Sequence, residues 1–254
     1  MCVLLVVHHQ HARWNLIIAA NRDEFHHRPT APAAPWDDVP GLLAGRDLEA
    51  GGTWLGVNPS GRISAVTNLR GARASSRSHS RGHLVRDFLA PDAPEISDYL
   101  RTLDARASTY AGCNLLLSAQ DALHWWSPRG AQALSPGIFG VSNAALDEPE
   151  WSKVARLRQG FREISHLDGA QLEHALLALL REEEAEADGA AGQRLLEDTI
   201  FVQGGGYGTR CSSLVMRGND GRIVFLERRF DAAGLSVGES RYESNGFAGG
   251  WWIS

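Results

Sequence analysis

Short runs of apolar residues, bounded by turn residues, recur towards both ends of the chain. Several of them alternate apolar and polar positions, and others are continuously apolar, as in buried strands. They predict β-strands at 2–8, 14–21, 55–57, 62–68, 114–118, 123–126, 138–142, 212–217 and 222–228. Turn sequences such as Asn58-Pro59-Ser60-Gly61 and Gly218-Asn219-Asp220-Gly221 indicate that neighbouring strands form hairpins.

Helical spacing of apolar residues is confined to four segments, at 81–89, 96–103, 151–164 and 172–180. The third is the clearest, because Val154, Leu157, Phe161 and Ile164 fall three or four positions apart. Residues 188–192 are small and polar and predict a loop. Hairpins at both ends with helices between them predict an α+β fold, with sheets covered by helices in one domain spanning 1–254.

Composition limits the classes of function. The hydrophobic fraction of 43%, the charged fraction of 22% and the net charge of -5 are ordinary for a globular domain and give no general attraction to nucleic acid. The first apolar run is too short to span a membrane and has no basic leader, so it predicts a buried strand. Three cysteines without a CxxC spacing favour a reducing compartment, and we expect a cytoplasmic protein.

Cys2 is the first candidate for chemistry. Methionine is normally removed before a small residue, so the mature chain would begin with a thiol and an α-amine on one residue. Their ordinary pKa values, about 8.5 and about 8, would let the amine act as base for its own nucleophile. The alternative is that Cys2 is a small buried residue at the start of a strand.

Polar residues stand at the ends of several predicted strands. Asp23 closes the second strand, where a carboxylate could orient the amine, although solvated charges at a strand end are the simpler interpretation. Asn68 and Asn143 follow two later strands, where an amide can donate to an oxyanion or make a turn. Arg210 begins a strand after a glycine-rich stretch.

Two further groups have a structural as well as a functional interpretation. The histidine-rich edge matches no standard zinc spacing, so we favour surface histidines and predict neither a metal nor a cofactor. It comprises His8, His9, His11, His26 and His27. The basic segment 70–81 is either a lid over an anionic substrate or a plain surface loop.

Six short motifs then occur in order along nearly the whole chain. They are Met1-Cys2, Asn21-Arg22-Asp23-Glu24-Phe25, Gly51-Gly52-Thr53-Trp54-Leu55-Gly56, Thr67-Asn68, Ser142-Asn143 and Tyr207-Gly208-Thr209-Arg210. Each motif is weak, but the ordered set is specific and resembles the NRDE-motif family, also called the transport-and-Golgi-organisation-2 family. More distantly, the layout is similar to the choloylglycine hydrolase branch of the N-terminal-nucleophile (Ntn) hydrolases.

The resemblance implies a four-layer α/β/β/α sandwich and a set of roles. Cys2 would be the nucleophile, Asp23 would anchor its amine, and Asn68 and Asn143 would bind the oxyanion and the amine side. Arg210 would pair with Asp23 or with the thiolate. Substrate-binding roles would fall to Asn21, Arg22 and Arg70.

One departure from the bile-salt hydrolases concerns their arginine three residues before the aspartate, where this chain has Ala20. Arg22 lies on the same strand face and is a possible substitute, or a ligand for a substrate carboxylate or phosphate. The expected function is a cysteine amidohydrolase or acyltransferase for a small non-peptide C–N or thioester substrate. The alternative is a non-catalytic carrier of haem, lipid or acyl-coenzyme A, classes to which the family has been linked.

Overall fold

The computed structural model describes residues 2–70, 79–144, 146, 151–182, 198–245 and 250–253. The strands are β1 (Cys2–His8), β2 (Trp14–Phe25), β3 (Thr30–Pro35), β4 (Leu43–Asp47), β5 (Leu55–Val57), β6 (Ile63–Asn68), β7 (Cys113–Ala119), β8 (Ala122–Ser127), β9 (Gly130–Ala133), β10 (Gly137–Val141), β11 (Tyr207–Gly218), β12 (Ile223–Phe230), β13 (Ser236–Ser244) and β14 (Trp252–Ile253). The helices are α1 (Arg81–Leu89), α2 (Ile96–Arg106), α3 (Ser152–Ile164) and α4 (Gly169–Leu180), with a short 3₁₀ turn at Ala107–Thr109.

The strands form two antiparallel sheets. The first sheet has the order β10-β1-β2-β11-β12-β13-β14, and the second has the order β3-β4-β5-β6-β7-β8-β9. Strands from both ends of the chain meet in the first sheet, because β2 pairs with β1 on one side and with β11 on the other. This pairing explains how residues about two hundred positions apart in sequence become neighbours.

Three apolar cores separate four layers. One core lies between the first sheet and helices α3 and α4, and includes Val3, Ile17, Leu157 and Leu176. A second lies between the two sheets, and a third lies between the second sheet and helices α1 and α2. The predicted α/β/β/α sandwich is therefore confirmed.

Strand alternation decides which core each residue enters. In β1, Leu4 and Val6 point into the core between the sheets, and Cys2 shares their parity and packs against the same core. In β2, Leu16 and Ile18 also point between the sheets, whereas the residues of the other parity face the helices. The sequence of β2 after Ala20 thus sends successive polar side chains to opposite faces.

The predicted elements are present, with shifts of a few residues at some ends. Five strands escaped prediction: β3, β4, β9, β13 and β14. The loop predicted at 188–192 and most of the basic segment, residues 71–78, lie outside the described residues. In the described part of the chain, no helix combines the length and apolar character that crossing a membrane requires.

Candidate active site

A cavity of about 410 Å³ opens where the two sheets meet at the start of β1. Its wall combines residues of the first sheet, the loop before β5, the end of β6 and the start of α1. The lining residues are Cys2, Arg22, Asp23, Glu24, Arg28, Asp47, Glu49, Ala50, Gly52, Thr53, Trp54, Val66, Asn68, His79, Ser80, Arg81 and Gly82. Cys2, Asp23, Asn68 and Arg22, all singled out from the sequence, therefore share one cavity.

Cys2 is the cysteine that borders this cavity, and it is partly exposed. Its cross-strand partner is Arg22, whose partner on the other side is Cys211, so the three side chains form a row on the face between the sheets. Burial raises the pKa of the Cys2 thiol, while a hydrogen bond from the Asp23 backbone and the charge of Arg22 lower it.

The other two cysteines are enclosed. Cys113 has no exposed surface, and Cys211 is 3% exposed. Burial raises the pKa of the Cys113 thiol to about 12 and also raises that of Cys211. A buried thiol that resists ionisation is a poor nucleophile, so Cys2 is the better placed of the three for reaction with a ligand.

Asp23 is buried on the face of β2 that looks toward helices α3 and α4. The hydroxyl of Thr209 donates to Asp23 Oδ1 at 2.7 Å and itself accepts the Val202 N–H at 2.9 Å. Burial raises the pKa of the Asp23 carboxyl to about 6, an effect that the charge of Lys153 and the Thr209 hydrogen bond oppose. The carboxyl therefore titrates close to neutral pH.

Lys153 is a site residue that sequence reasoning missed. It lies in the first turn of α3, has no exposed surface, and places Nζ 5.2 Å from the centre of the Trp151 ring. A signal was available in the sequence, because Lys153 is the only lysine in the chain. It stands in a segment whose apolar residues are at helical spacing and are expected to be buried. Since lysines are almost never fully buried unless paired, a lysine there indicates a nearby negative charge.

Arg22 is locked in place between the sheets. Its guanidinium lies 4.4 Å from the centre of the Trp54 ring, donates to Thr30 Oγ1 at 3.2 Å, and is 3.6 Å from Asp47 Oδ2. Arg28 joins the same carboxylate, with Nε donating to Asp47 Oδ2 at 2.8 Å. Both arginines therefore help to build the wall of the cavity.

Asn68 lies at the end of β6 and lines the cavity, while Asn143 lies just behind it. The Asn143 side-chain amide donates to the Asn68 backbone carbonyl at 2.6 Å, and the Asn143 backbone carbonyl accepts the Arg70 N–H at 2.7 Å. This geometry makes Asn143 a brace for the Asn68 backbone. Arg70 is exposed, and neither Arg70 nor Asn143 is among the residues that line the cavity.

A buried polar network joins the two sheets behind this pair. Thr67 Oγ1 donates to the Ser142 carbonyl at 2.6 Å, and the Ser142 hydroxyl donates to the Cys2 carbonyl at 2.8 Å. Asn114, a second residue that sequence reasoning missed, donates to the carbonyls of Ser142 and Ala144 and to Thr67 Oγ1. The network holds the start of β1 against the end of β6.

Two predicted site residues lie elsewhere. Asn21 donates to the carbonyls of Leu180 and Ile200, both at 2.8 Å, and so ties β2 to the end of α4 instead of lining the cavity. Arg210 donates to the carbonyls of Phe25 and Arg28 and lines a separate cavity of about 110 Å³. An irregularity in β11 between Thr209 and Cys211 sets Thr209, not Arg210, opposite Asp23.

Arg81 is the last charged residue of the cavity wall. It is the first residue of α1, and Ser80 and Gly82 line the cavity beside it. Among the residues that the structure describes, the Arg81 side chain has no ion-pair partner and no hydrogen-bond partner. No group of three or more His, Cys, Asp or Glu side chains in the described ranges is arranged to hold a metal ion.

The architecture of the molecule is that of the Ntn-hydrolase fold. The chain superposes on a Caenorhabditis elegans N-acylethanolamine-hydrolyzing acid amidase (NAAA) ortholog with a TM-score of 0.54 and 11% identity, covering 84% of this chain and 92% of the other. A mutant conjugated bile acid hydrolase from Clostridium perfringens gives a TM-score of 0.51 and 8% identity, covering 100% and 96%. At such low identity these likenesses establish the fold alone.

Sequence comparison then gives the family. The model of the family "Transport and Golgi organisation 2" matches residues 1–232, and the chain belongs to that family. The Transport and Golgi organization protein 2 homolog of Bos taurus is 36% identical over 240 residues, covering 85% of this chain and 86% of its own length. The Homo sapiens homolog is 33% identical over 253 residues, covering 90% and 91%.

Proposed function

We propose that this protein is a cysteine Ntn hydrolase or acyltransferase that acts on a small non-peptide amide or thioester. The observation that supports the proposal most strongly is the position of Cys2. It begins β1, borders the cavity and remains partly exposed, whereas the other cysteines are buried. The Ntn-hydrolase fold supports the same reaction class, but fold alone does not determine function.

In the proposed reaction, removal of Met1 frees the α-amine of Cys2. The sulfur attacks the substrate carbonyl carbon and forms a C–S bond, and the thiol proton moves to the α-amine. When the tetrahedral intermediate collapses, the C–N or C–S bond of the substrate breaks, and the amine passes that proton to the leaving group. Water, or an acceptor amine or thiol, then attacks the acyl carbon and gives its proton to the α-amine; the acyl C–S bond breaks, and the Cys2 sulfur takes up that proton.

Other residues of the cavity have supporting roles in this proposal. The Asn68 side-chain amide would donate to the developing oxyanion, and Asn143 fixes the Asn68 backbone through its 2.6 Å hydrogen bond. Asp23, once ionised, would hold the α-amine, and Thr209 orients its carboxyl. Arg22 would act by positioning, because its guanidinium is already engaged with Asp47, Thr30 and Trp54.

The test is the intact mass of the purified protein before and after exposure to the acetyl thioester of N-acetylcysteamine. We expect loss of Met1 and a single acetyl adduct, which peptide mapping assigns to Cys2. Cys2→Ala should abolish the adduct at a cost to stability of about 1 kcal/mol, because only a small side chain is lost. Cys2→Ser should react far more slowly, since a hydroxyl is a weaker nucleophile than a thiol.

Cys113→Ala is the matched control, because Cys113 is also a strand cysteine but is fully buried. It should keep the adduct and the reaction rate of the parent protein. The proposal fails if protein that has lost Met1 forms no adduct at Cys2, or if Cys2→Ala retains full turnover.

A non-catalytic carrier is the second candidate. The observation in its favour is that burial raises the pKa of the Cys2 thiol, which disfavours the nucleophilic thiolate. Retention of Met1 in the purified protein would support the carrier, because an amine within a peptide bond cannot act as the base. The same intact-mass measurement therefore separates the two candidates.

A further inference from the structure

The arginines that line the cavity differ in how they are paired with acidic residues. Arg28 donates to Asp47 at 2.8 Å and to Glu49 at 2.8 Å, and lies 3.9 Å from Glu24. Arg22 adds a second cation beside Asp47. The acidic residues at this part of the wall are thus already balanced by two arginines that belong to the protein framework.

Arg81 differs from these two arginines. It lines the same cavity as Cys2 from the start of α1, and its side chain forms no ion pair or hydrogen bond with any residue in the described ranges. The first turn of α1 contains no acidic residue, and the side chain of its N-cap residue, Ser80, does not cap the helix. Arg81 is therefore a charged side chain that faces the cavity with its hydrogen-bonding capacity unused within the described structure.

We infer that Arg81 binds an anionic group of the ligand, so that the preferred acyl donors carry a carboxylate or phosphate near the reacting carbonyl. A guanidinium suits this task, because its planar array of N–H donors matches the oxygen pairs of a carboxylate or phosphate. The positive end of the α1 dipole adds to the same field. The inference names a substrate class for the proposed reaction and rests on that proposal for the site itself.

The inference can be tested without turnover by two alkylating agents of similar size. Iodoacetate is anionic, iodoacetamide is neutral, and both alkylate the Cys2 thiol whether or not an acyl-enzyme forms. The quantity measured is the rate at which iodoacetate alkylates Cys2 divided by the rate at which iodoacetamide does so. Both rates are followed by peptide mass spectrometry. Any change in thiol reactivity affects both rates, so it cancels from this charge-selectivity ratio.

We expect Arg81→Gln to lower the charge-selectivity ratio by about tenfold, as loss of one nearby opposite charge implies. Arg81→Lys should retain most of it, because the charge remains. Arg86→Gln is the matched control, because Arg86 lies on the same helix but is paired with Asp87. The charge-selectivity ratio of this variant should equal that of the parent protein. In the parent protein the ratio should fall as salt rises through the range where the Debye length is about 10 Å and below.

The outcomes separate the inference from the proposed function. An unchanged charge-selectivity ratio in Arg81→Gln, even when both alkylation rates fall, overturns the role of Arg81 as an anion-binding residue. A second arm compares turnover of the succinyl and butyryl thioesters of N-acetylcysteamine, which differ in one carboxylate. A charge-selective Cys2 that forms no acyl-enzyme with either thioester would refute the hydrolase while leaving Arg81 as the anion site of a binding protein.

Discussion

At the scale of single residues, the electrostatic interaction between Lys153 and Asp23 is the most informative. Both side chains are buried, and the positive charge of Lys153 opposes the effect of burial on the Asp23 carboxyl. A buried ammonium is costly unless a counter-charge lies nearby, and loss of one partner leaves the other uncompensated. We therefore expect Lys153 to set the pH range over which Asp23 is ionised.

The single lysine allows a direct measurement. Labelling with ε-¹³C-lysine gives one NMR signal, and that signal should show an inflection near pH 6 as Asp23 ionises. Asp23→Asn should remove the inflection. Asp198→Asn is the control. Asp198 accepts a hydrogen bond from Ser152, which precedes Lys153 in α3, but Asp198 does not line the cavity. Persistence of the inflection in Asp23→Asn would refute the coupling.

The same interaction predicts that replacing Lys153 shifts the pH dependence of Cys2 acylation. Lys153, Thr209 and Arg22 all favour the Asp23 carboxylate, so Lys153→Met should raise the pKa of Asp23 further above about 6. The acidic limb of Cys2 acylation should then move to higher pH, and Lys153→Arg should keep the parent profile. A Lys153→Met profile that loses amplitude without moving would indicate a purely structural role.

The sign of the effect on stability follows from the same pKa. The folded-state pKa of Asp23 is above its ordinary value of 3.8, so protonation favours the folded state. This contribution is fully present below pH 3.8 and is lost as pH rises through about 6. In Lys153→Met, the loss should occur at higher pH.

Much of the site was predictable from residue types at strand ends. Cys2 and Asp23 share a cavity because β1 and β2 are antiparallel neighbours in one sheet, and Asn68 joins them from the end of β6 in the facing sheet. Arg210 was not predictable in the same way, because a one-residue irregularity in β11 changes which side chain faces Asp23. Strand parity read from sequence holds only while the pairing remains regular.

At the scale of elements, two of the five missed strands, β3 and β9, lie at the edges of the second sheet. β3 contains two prolines in Thr30–Pro35 and forms one edge of the second sheet, where a missing N–H is tolerated. β9 is exposed along its whole length at the other edge, so it has no apolar pattern to recognise. Both strands exist because a neighbouring strand supplies hydrogen bonds, which a pattern of side chains does not reveal.

β2 was predicted too short, because it runs on to Phe25, four residues beyond the predicted end. Its last residues are polar, yet Asn21, Arg22 and Asp23 are at most 5% exposed. They remain in the strand because β11 pairs with all three residues on one side, and β1 pairs with Asn21 and Arg22 on the other. Polar residues in a central strand are a sign of a functional site, since their burial requires specific partners.

The position of α1 depends on close contact between two glycines. The Thr53 N–H donates to the Gly82 carbonyl at 3.2 Å, and a Cβ on Gly52 would lie 2.5 Å from the Gly82 carbonyl carbon. Gly52→Ala should therefore push the start of α1, with Arg81, away from the cavity. We expect a loss of stability of about 1–3 kcal/mol from overpacking, together with a lower charge-selectivity ratio at Cys2.

Gly205→Ala is the matched control for this substitution, because a Cβ there meets nothing within 4 Å. Urea unfolding measures the stability of both variants, and the two alkylating agents measure the ratio. A Gly52→Ala protein that is destabilised but keeps the parent ratio would show that another contact fixes the start of α1.

At the scale of the whole molecule, hydrogen bonds join the two sheets at both ends of the sandwich. Near the cavity, Asn114 and Thr67 bond to the Ser142 carbonyl. At the far end, Arg217 of β11 donates to the Gly61 carbonyl at 2.8 Å and to Ser118 Oγ at 3.2 Å, both in the second sheet's half of the molecule. The apolar core between the sheets fills the space between these two joints.

Arg217→Leu should therefore weaken the fold without altering the cavity. The substitution leaves buried acceptors at Gly61 and Ser118 without their donor, at a cost on the order of 3 kcal/mol. Arg217 is six residues from Cys211 along β11, or about 20 Å at the rise of a strand, so Cys2 should alkylate at the parent rate in native conditions.

Arg101→Leu provides the comparison, because Arg101 pairs with Asp98 on the exposed surface of α2, and such pairs contribute at most about 1 kcal/mol. Urea unfolding should give a much lower midpoint for Arg217→Leu than for Arg101→Leu, with similar slopes. Equal midpoints would show that the core between the sheets holds them together without the arginine. A slower alkylation of Cys2 in folded Arg217→Leu would instead show that the two ends of the sandwich are mechanically coupled.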